Sequence, residues 1–162
     1  DYLGVDSVTL HPYLGREAIQ PFLDRKDKGS IILCRTSNPG AGEYQDLMVD
    51  SKPLYQRVAE KVVAEWNKNE NCSLVVGATY PDEMMRVRKT APQLPFLIPG
   101  IGAQGGEVES TVKAGESNEG GRAIINSARG IIFASNGEDF AKVARNEAIK
   151  LKEEINKYRR VS

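Results

Sequence analysis

The chain has 162 residues, and its 22 lysines and arginines balance 22 aspartates and glutamates, so the formal net charge is +0. This balance argues against a nucleic-acid-binding or membrane-surface protein, because both usually carry a basic excess. Apolar residues make up 40% of the sequence, which is ordinary for a folded domain and argues against wholesale disorder. No apolar run approaches the roughly 20 residues of a membrane span, and no signal peptide is visible. We expect a globular, cytoplasmic protein that binds neither nucleic acid nor membrane.

Apolar runs and helical patterns alternate along the whole chain. Five apolar runs are predicted to be strands, at residues 7–11, 30–35, 73–77, 96–98 and 123–126. The spacing of apolar residues predicts helices over residues 16–23, 54–68, 82–89 and 139–160, with a shorter candidate at residues 108–114. Gly, Pro, Ser and Asp predict long loops over residues 36–53 and 100–121, and residues 129–134 are predicted to be a loop and short turn.

Two of these helices indicate which face they bury. In the helix over residues 54–68, Leu54, Val58, Val62 and Trp66 recur four residues apart and form one apolar stripe. In the last helix, the residues predicted to face inward are Phe140, Val143, Ala144, Ala148, Leu151 and Ile155.

The alternation of strands and helices is typical of parallel βαβ units. The strands are almost entirely apolar, as expected when both faces of a sheet are covered. Two architectures fit: a doubly wound open sheet, or part of a (β/α)8 barrel, which needs ~250 residues in total. No Gly-x-Gly-x-x-Gly motif follows the first predicted strand, and this weakens the case for a dinucleotide-binding fold.

Ligands in parallel α/β folds meet the carboxyl ends of the strands. The predicted strands end on hydroxyls, amides, glycines and arginines, and on no carboxylate: His11, Arg35-Thr36-Ser37, Gly77-Ala78-Thr79, Pro99 and Asn126-Ser127-Ala128-Arg129-Gly130. This set indicates a binding surface without an acid–base pair.

The segment after the fourth predicted strand, residues 99–106, is rich in glycine and carries Gln104. Free N–H groups in such a loop form an anion-binding concavity. Arg129-Gly130 is a candidate phosphate clamp, because a guanidinium matches phosphate bidentately. The residues alone leave alternatives open: Arg129 paired with a surface carboxylate, Gln104 solvated, and Thr36 and Ser37 acting only as turn formers.

We expect no metal site, because His11 is the only histidine and no Cys, Asp or Glu stands at metal-ligand spacing from it. Cys34 lies within an apolar run and is predicted to be a small buried hydrophobe. A disulfide between Cys34 and Cys72 is the less favoured alternative. Free cysteines fit a reducing cytoplasm.

Five segments at these strand ends are similar to motifs of the orotidine 5′-phosphate decarboxylase family, particularly its bacterial type-2 branch. They occur in family order and span essentially the whole chain: Asp6-Ser7-Val8-Thr9-Leu10-His11-Pro12-Tyr13-Leu14-Gly15, Thr36-Ser37-Asn38-Pro39-Gly40, Val76-Gly77-Ala78-Thr79, Pro99-Gly100-Ile101-Gly102-Ala103-Gln104-Gly105-Gly106 and Asn126-Ser127-Ala128-Arg129-Gly130. Each segment is weak alone, but five in order are specific.

The resemblance implies a homodimer of (β/α)8 TIM barrels, of which this chain supplies about strands 4 to 8. It also implies conversion of orotidine 5′-monophosphate (OMP) to UMP and CO₂ in pyrimidine biosynthesis, without metal or organic cofactor. By the same resemblance, Ser37 contacts the pyrimidine edge and Pro99 walls the base. Gln104 reaches pyrimidine and phosphate as its loop, residues 100–121, closes as a lid. Arg129 binds the phosphate, with the Ala128 and Gly130 backbone nearby.

The chain departs from the family pattern in two places. A glycine often precedes the phosphate-binding arginine, and here Ala128 stands there. The family's catalytic Asp-x-Lys-x-x-Asp motif is missing: the nearest string, Asp24-Arg25-Lys26, has Gly29 in place of the second Asp.

The chain starts without an initiator Met. We therefore expect residues 1–162 to be the C-terminal portion of a single TIM-barrel domain, with no catalytic residue of its own and neither active nor stable alone. The alternatives are another phosphate-binding TIM-barrel lyase or synthase, and a non-catalytic half-barrel binding module.

Overall fold

The computed structural model describes residues 3–102 and 105–160, and strands and helices alternate through it. The strands are β1 (Ser7–Leu10), β2 (Gly29–Arg35), β3 (Met48–Val49), β4 (Lys52–Pro53), β5 (Cys72–Val76), β6 (Phe96–Pro99) and β7 (Ala123–Asn126). The helices are α1 (Arg16–Leu23), α2 (Gly42–Gln45), α3 (Leu54–Lys61), α4 (Pro81–Thr90), α5 (Val108–Gly115), α6 (Ala128–Ile132) and α7 (Phe140–Tyr158). A 3-10 turn (Pro39–Ala41) precedes α2, and a π-helical turn (Val62–Trp66) continues α3.

The main sheet has five strands in the order β1-β2-β5-β6-β7, and all four neighbouring pairs are parallel. The five predicted strands are thereby confirmed to within one or two residues at their ends. Within the described part of the chain, β1 and β7 are the two edges of this sheet. Because the strands are parallel, their carboxyl ends lie along one edge of the sheet.

The loop predicted over residues 36–53 is wrong in part, since it contains the 3-10 turn, α2 and an antiparallel hairpin of β3 and β4. Asp50 and Ser51 form the hairpin turn with φ of 47° and 65°, the left-handed conformation that tight hairpin turns require. Strands of two residues are too short to produce an alternating pattern, so the sequence carried no periodicity to reveal them.

The loop predicted over residues 100–121 is divided by α5, which confirms the shorter helix candidate at residues 108–114. Residues 100–102 and 105–107 follow β6 at the carboxyl edge, whereas residues 116–121 precede β7 and therefore lie at the opposite edge. The predicted lid over residues 100–121 must be corrected: only its first part borders the carboxyl edge.

The core lies between the sheet and the helices that cover it. Both layers contribute fully buried residues to its centre. Examples are Leu74, Val76 and Ile98 of the sheet, Ala59 of α3 and Val62 of the π-helical turn. Burial of such side chains is the main stabilising term, at about 1.5–3 kcal/mol for each large aliphatic residue. None of the described helices combines the length and apolar character needed to cross a bilayer.

The last helix is less buried than its sequence predicts. Leu151 and Ile155 pack against the core, as expected, but Phe140 is 59% exposed and Ala148 is exposed. The inward assignment of these two residues is wrong. The reason is that α7 packs mainly against α5 and the short α6 rather than against the sheet, so its first turns cover little apolar surface.

Both cysteines are free and buried, which confirms the predicted burial of Cys34 and the preference against a disulfide. Burial raises the pKa of the Cys34 thiol to about 12 and that of the Cys72 thiol to about 11. The Cys34 Sγ–H donates to the Tyr55 carbonyl at 3.2 Å. Both thiols therefore stay protonated at neutral pH, and neither is a nucleophile.

A buried arginine joins three elements at the amino edge of the sheet. Arg88 of α4 donates to the carbonyl of Leu94, before β6, at 2.7 Å and to that of Gly115, at the end of α5, at 3.1 Å. Its guanidinium lies 3.5 Å from the centroid of the Phe96 ring. Burial, together with Arg122 nearby, lowers the pKa of Arg88 to about 10, which leaves it charged at neutral pH.

Candidate functional site

The carboxyl edge of the sheet brings the predicted strand-end segments side by side. Ala78, after β5, donates its N–H to the Pro99 carbonyl at 2.9 Å. Pro99 in turn pairs with Asn126 of β7, just before Ser127 and Ala128. Ser37 follows β2, the other neighbour of β5. The structure therefore arranges three predicted residues, Ser37, Pro99 and Ala128, along one edge in the order of their strands.

Ser37 is partly buried and lies directly against Gly77. A Cβ at position 77 would lie 2.7 Å from the Ser37 Cβ and 2.8 Å from the Ser37 nitrogen, which is closer than real Cβ atoms approach. The Gly77 N–H donates to the Arg35 carbonyl at 2.7 Å, and this hydrogen bond holds the two backbone segments close together. A glycine is thus required beside Ser37 for a steric reason, the close approach of two backbones.

The glycine-rich segment forms a tight turn next to these residues. Gly106 donates to the Gly100 carbonyl and Gly102 to the Gly106 carbonyl, each at 3.1 Å. A Cβ at Gly106 would lie 2.6 Å from the Ala78 Cβ, so the turn rests on the residue that follows Gly77. Gln104 lies outside the described residues, and its role stays a prediction.

Arg129 is exposed in α6, between Ala128 and Gly130. Among the described residues it forms no ion pair, so the alternative of a carboxylate partner is not realised there. Ala128 does not have a positive φ, since it lies in a helix. The alanine in place of the usual glycine therefore causes no backbone strain.

A cleft of about 570 Å³ connects the turn after β6 with the loop after β7. Its sheet side is formed by Gly102, Gly106, Ser127 and Gly130. Its outer side carries carboxylates of α7 and of the start of α5, namely Glu107, Glu109, Glu147 and Glu154, together with Lys150. Because these carboxylates repel an anion, only the sheet side of the cleft suits a phosphate.

Arg35 ends β2, but its side chain faces the helices that cover the sheet, where it contacts Gln45, Asp46 and the Tyr80 ring. The register of β2 with β5 shifts between Leu33 and Arg35, so that Arg35 pairs with Val76. Paired residues face the same side of a sheet, and Val76 is fully buried in the core. The shift therefore turns Arg35 toward the helices, where it is 2% exposed.

The residues whose sequence is most similar to the catalytic motif lie at the opposite edge of the sheet from the candidate site. Asp24, Arg25 and Lys26 follow α1 and precede β2, and so lie at the amino edge of the sheet. Among the described residues, no group of three or more His, Cys, Asp and Glu side chains could hold a metal ion.

Comparison with known proteins identifies the family. Residues 1–144 match the model of the orotidine 5′-phosphate decarboxylase / HUMPS family. The chain belongs to this family. It is 52% identical over 154 residues to an orotidine 5′-phosphate decarboxylase of Azoarcus sp. (strain BH72), a match that covers 95% of this chain and 57% of the relative. The relative from Cupriavidus necator is 53% identical with the same coverages. The chain thus spans just over half the length of the curated relatives it matches.

Solved structures of the orotidine 5′-phosphate decarboxylase family have the same fold. Leishmania donovani UMP synthase superposes with a TM-score of 0.87 at 42% identity, covering 98% of this chain and 34% of that protein. Leishmania donovani OMP decarboxylase gives 0.83 at 36% identity, covering 96% and 60%. The Methanocaldococcus jannaschii OMP decarboxylase, complexed with the inhibitor BMP, gives 0.71 at 23% identity, covering 96% and 64%, and supports the fold alone. The predicted fold class, part of a (β/α)8 TIM barrel, is confirmed.

Two residues near the candidate site were not predicted from the sequence. Lys150 of α7 lines the cleft, but its position in a charged helix is typical of a solvated lysine. Gln45 contacts the segment that carries Ser37, and it was not singled out because the short α2 has no periodic pattern. Only the folded chain brings either residue to the strand ends.

Proposed function

We propose that the chain is the C-terminal portion of an orotidine 5′-phosphate decarboxylase, a carboxy-lyase that converts OMP to UMP and CO₂ in pyrimidine biosynthesis. Residues 1–162 would supply strands 4 to 8 of a single barrel domain. The observation that carries this proposal is the alignment of the strand-end segments along one edge of a parallel sheet, in a chain 52% identical to a curated decarboxylase.

In this proposal the chain binds the two ends of the substrate. The Ser37 hydroxyl contacts the pyrimidine edge, Pro99 walls the base, and Gln104 reaches both base and phosphate. Arg129 binds the phosphate with help from the backbone of Ala128 and Gly130. The close support of Ser37 by Gly77 and the absence of a described ion-pair partner for Arg129 are consistent with these roles.

The bond-breaking groups would come from an Asp-x-Lys-x-x-Asp motif in a preceding portion of the barrel. The C6–carboxylate bond breaks, the electron pair stays on C6, and the lysine ammonium donates a proton to that carbon as CO₂ leaves. No metal or organic cofactor takes part in this scheme. Binding energy from the remote phosphate can close the turn at residues 100–107, exclude water and strengthen the electrostatic stabilisation of the reacting carbon.

We also propose that the complete enzyme is a cytoplasmic homodimer. Its family membership supports the dimer, and its two free, buried cysteines fit a reducing compartment. Size-exclusion chromatography with light scattering on the complete enzyme measures the oligomeric state.

The test of function is turnover by the complete enzyme, in which the first three barrel units are present. OMP should be decarboxylated with release of CO₂ and the accompanying change in pyrimidine absorbance. Assay of other sugar phosphates in parallel addresses the alternative, another phosphate-binding barrel lyase or synthase. Turnover of one of these and not of OMP would overturn the proposal.

A Gly77→Ala substitution should lower kcat/KM for OMP by about tenfold, because small displacements of a substrate-contacting group are costly to catalysis. The new Cβ would have to displace the Ser37 backbone. Gly40→Ala is the matched control, because Gly40 lies in the connection that carries Ser37 and its Cβ would meet the Glu43 side chain at an ordinary 3.5 Å. Steady-state kinetics of both variants measure the effect. Equal losses of kcat/KM in Gly77→Ala and Gly40→Ala would show that Gly77 has no special role.

A further inference from the structure

Gln45 of α2 holds the residue before Ser37 at two points. Its Oε1 accepts the Thr36 N–H at 2.9 Å, and its Nε2 donates to the Thr36 Oγ1 at 2.8 Å. The Thr36 hydroxyl then donates to the Asn38 Oδ1 at 2.6 Å. One side-chain amide therefore restrains both the backbone and the side chain of Thr36, and the residues on either side of Ser37 belong to the same network.

Arg35 anchors this amide to the sheet. Its Nη1 donates to the Gln45 Oε1 at 3.3 Å, and its Nη2 donates to the Asp46 Oδ2 at 3.3 Å. The guanidinium carbon lies 4.2 Å from the centroid of the Tyr80 ring, at the start of α4. Because Arg35 is almost completely buried, it has little freedom to move, and it ties α2 to the end of β2.

The two sides of Ser37 are thus restrained by different means. Gln45 holds the preceding residue by hydrogen bonds, and Gly77 meets the Ser37 backbone at van der Waals limits. An unrestrained loop residue would lose about 1–2 kcal/mol of backbone entropy when it is fixed on binding. A loop that is already fixed avoids that loss at the moment the substrate binds.

We propose that Gln45 is a positioning residue for Ser37, and that Arg35 holds Gln45 in place for this purpose. The inference rests on the proposed function, because it takes Ser37 as a contact of the pyrimidine. Gln45 itself touches no substrate. Its effect on catalysis passes through the Ser37 hydroxyl and should vanish when that hydroxyl is removed.

A double-mutant cycle in the complete enzyme tests this dependence. Gln45→Ala should lower kcat/KM for OMP by about tenfold in the wild-type background and by less than about twofold in the Ser37→Ala background. The same loss in both backgrounds would mean that Gln45 acts independently of Ser37, and would overturn the inference. Thermal midpoints of all four proteins show whether each is folded at the assay temperature.

Hydrogen–deuterium exchange provides a readout that does not depend on activity. Gln45→Ala should speed exchange of the Thr36 amide by about tenfold, because its acceptor is lost. The matched control is Gln20→Ala, whose side chain forms hydrogen bonds with Arg16 and Asp24 on or next to α1, and it should leave Thr36 unchanged. Unchanged exchange in Gln45→Ala would overturn the inference.

The two readouts separate this inference from the proposed function. An active enzyme with additive effects of the Gln45 and Ser37 substitutions overturns only the positioning role. A folded wild-type enzyme that does not turn over OMP overturns the proposed function, and the role of Gln45 falls with it.

Discussion

Arg129→Ala in the complete enzyme is expected to raise KM for OMP steeply and to lower kcat/KM by about a hundredfold. The reason is the loss of charge-assisted hydrogen bonds to the phosphate dianion, which are stronger than bonds between neutral groups. Arg129 is exposed and has no ion-pair partner among the described residues, so its substitution breaks no ion pair there. We therefore expect the thermal midpoint to stay nearly unchanged while steady-state kinetics change.

Two variants sharpen this prediction. Arg129→Lys keeps the charge but loses the bidentate geometry, so its kcat/KM should fall between those of the wild type and Arg129→Ala. Arg145→Ala removes an exposed arginine from α7 and controls for the general loss of positive charge. Wild-type kinetics for Arg129→Ala would exclude Arg129 as the phosphate ligand.

Arg88→Ala is expected to lower the free energy of unfolding by about 3 kcal/mol. The Arg88 side chain donates to five backbone carbonyls, those of Ala91, Pro92, Leu94, Gly115 and Arg122. Alanine removes all of these donors, including those to the buried carbonyls of Leu94 and Gly115, and it also opens a cavity over the Phe96 ring. Urea denaturation of the complete enzyme measures the change.

Lys89→Ala is the matched control for Arg88, since Lys89 is the next residue on α4 and is exposed. Its substitution should change stability by less than about 0.5 kcal/mol. Arg88→Met retains most of the volume but no donors. If Arg88→Met were as stable as the wild type, hydrogen bonding to the carbonyls would not be the source of the Arg88 contribution.

The order of strands and helices was predictable because each main element carries its own pattern. The stripe of Val58, Val62 and Trp66 marks a helix that covers a sheet, and Trp66 and Val62 are indeed buried. The apolar runs of β2, β5 and β6 mark strands with both faces covered. These signals are local, so they survive without knowledge of the neighbours in space.

The failures occur where contacts with distant residues decide the outcome, or where an element is too short to carry a pattern. Phe140 fits the apolar stripe of α7, but α7 packs mainly on α5 and α6, and Phe140 stays exposed. The predicted lid is divided by α5, which begins at Val108 as the shorter helix candidate predicted, so the lid was drawn across a helix that the sequence already indicated. The hairpin of β3 and β4 has too few residues to form any periodic pattern.

The sequence by itself determined the α/β class, the strand-end segments and the resemblance to the decarboxylase family, since motifs and periodicity are written in consecutive residues. Only the tertiary structure decided that Arg35 turns toward the helices that cover the sheet. That orientation comes from a register shift against β5, whose residues lie some forty positions further along the chain. The contact of Gly77 with Ser37 likewise joins segments that meet only when the sheet has formed. The bonds of Gln45 to Thr36 lie within one connection, but no periodic pattern marks the fold of that connection.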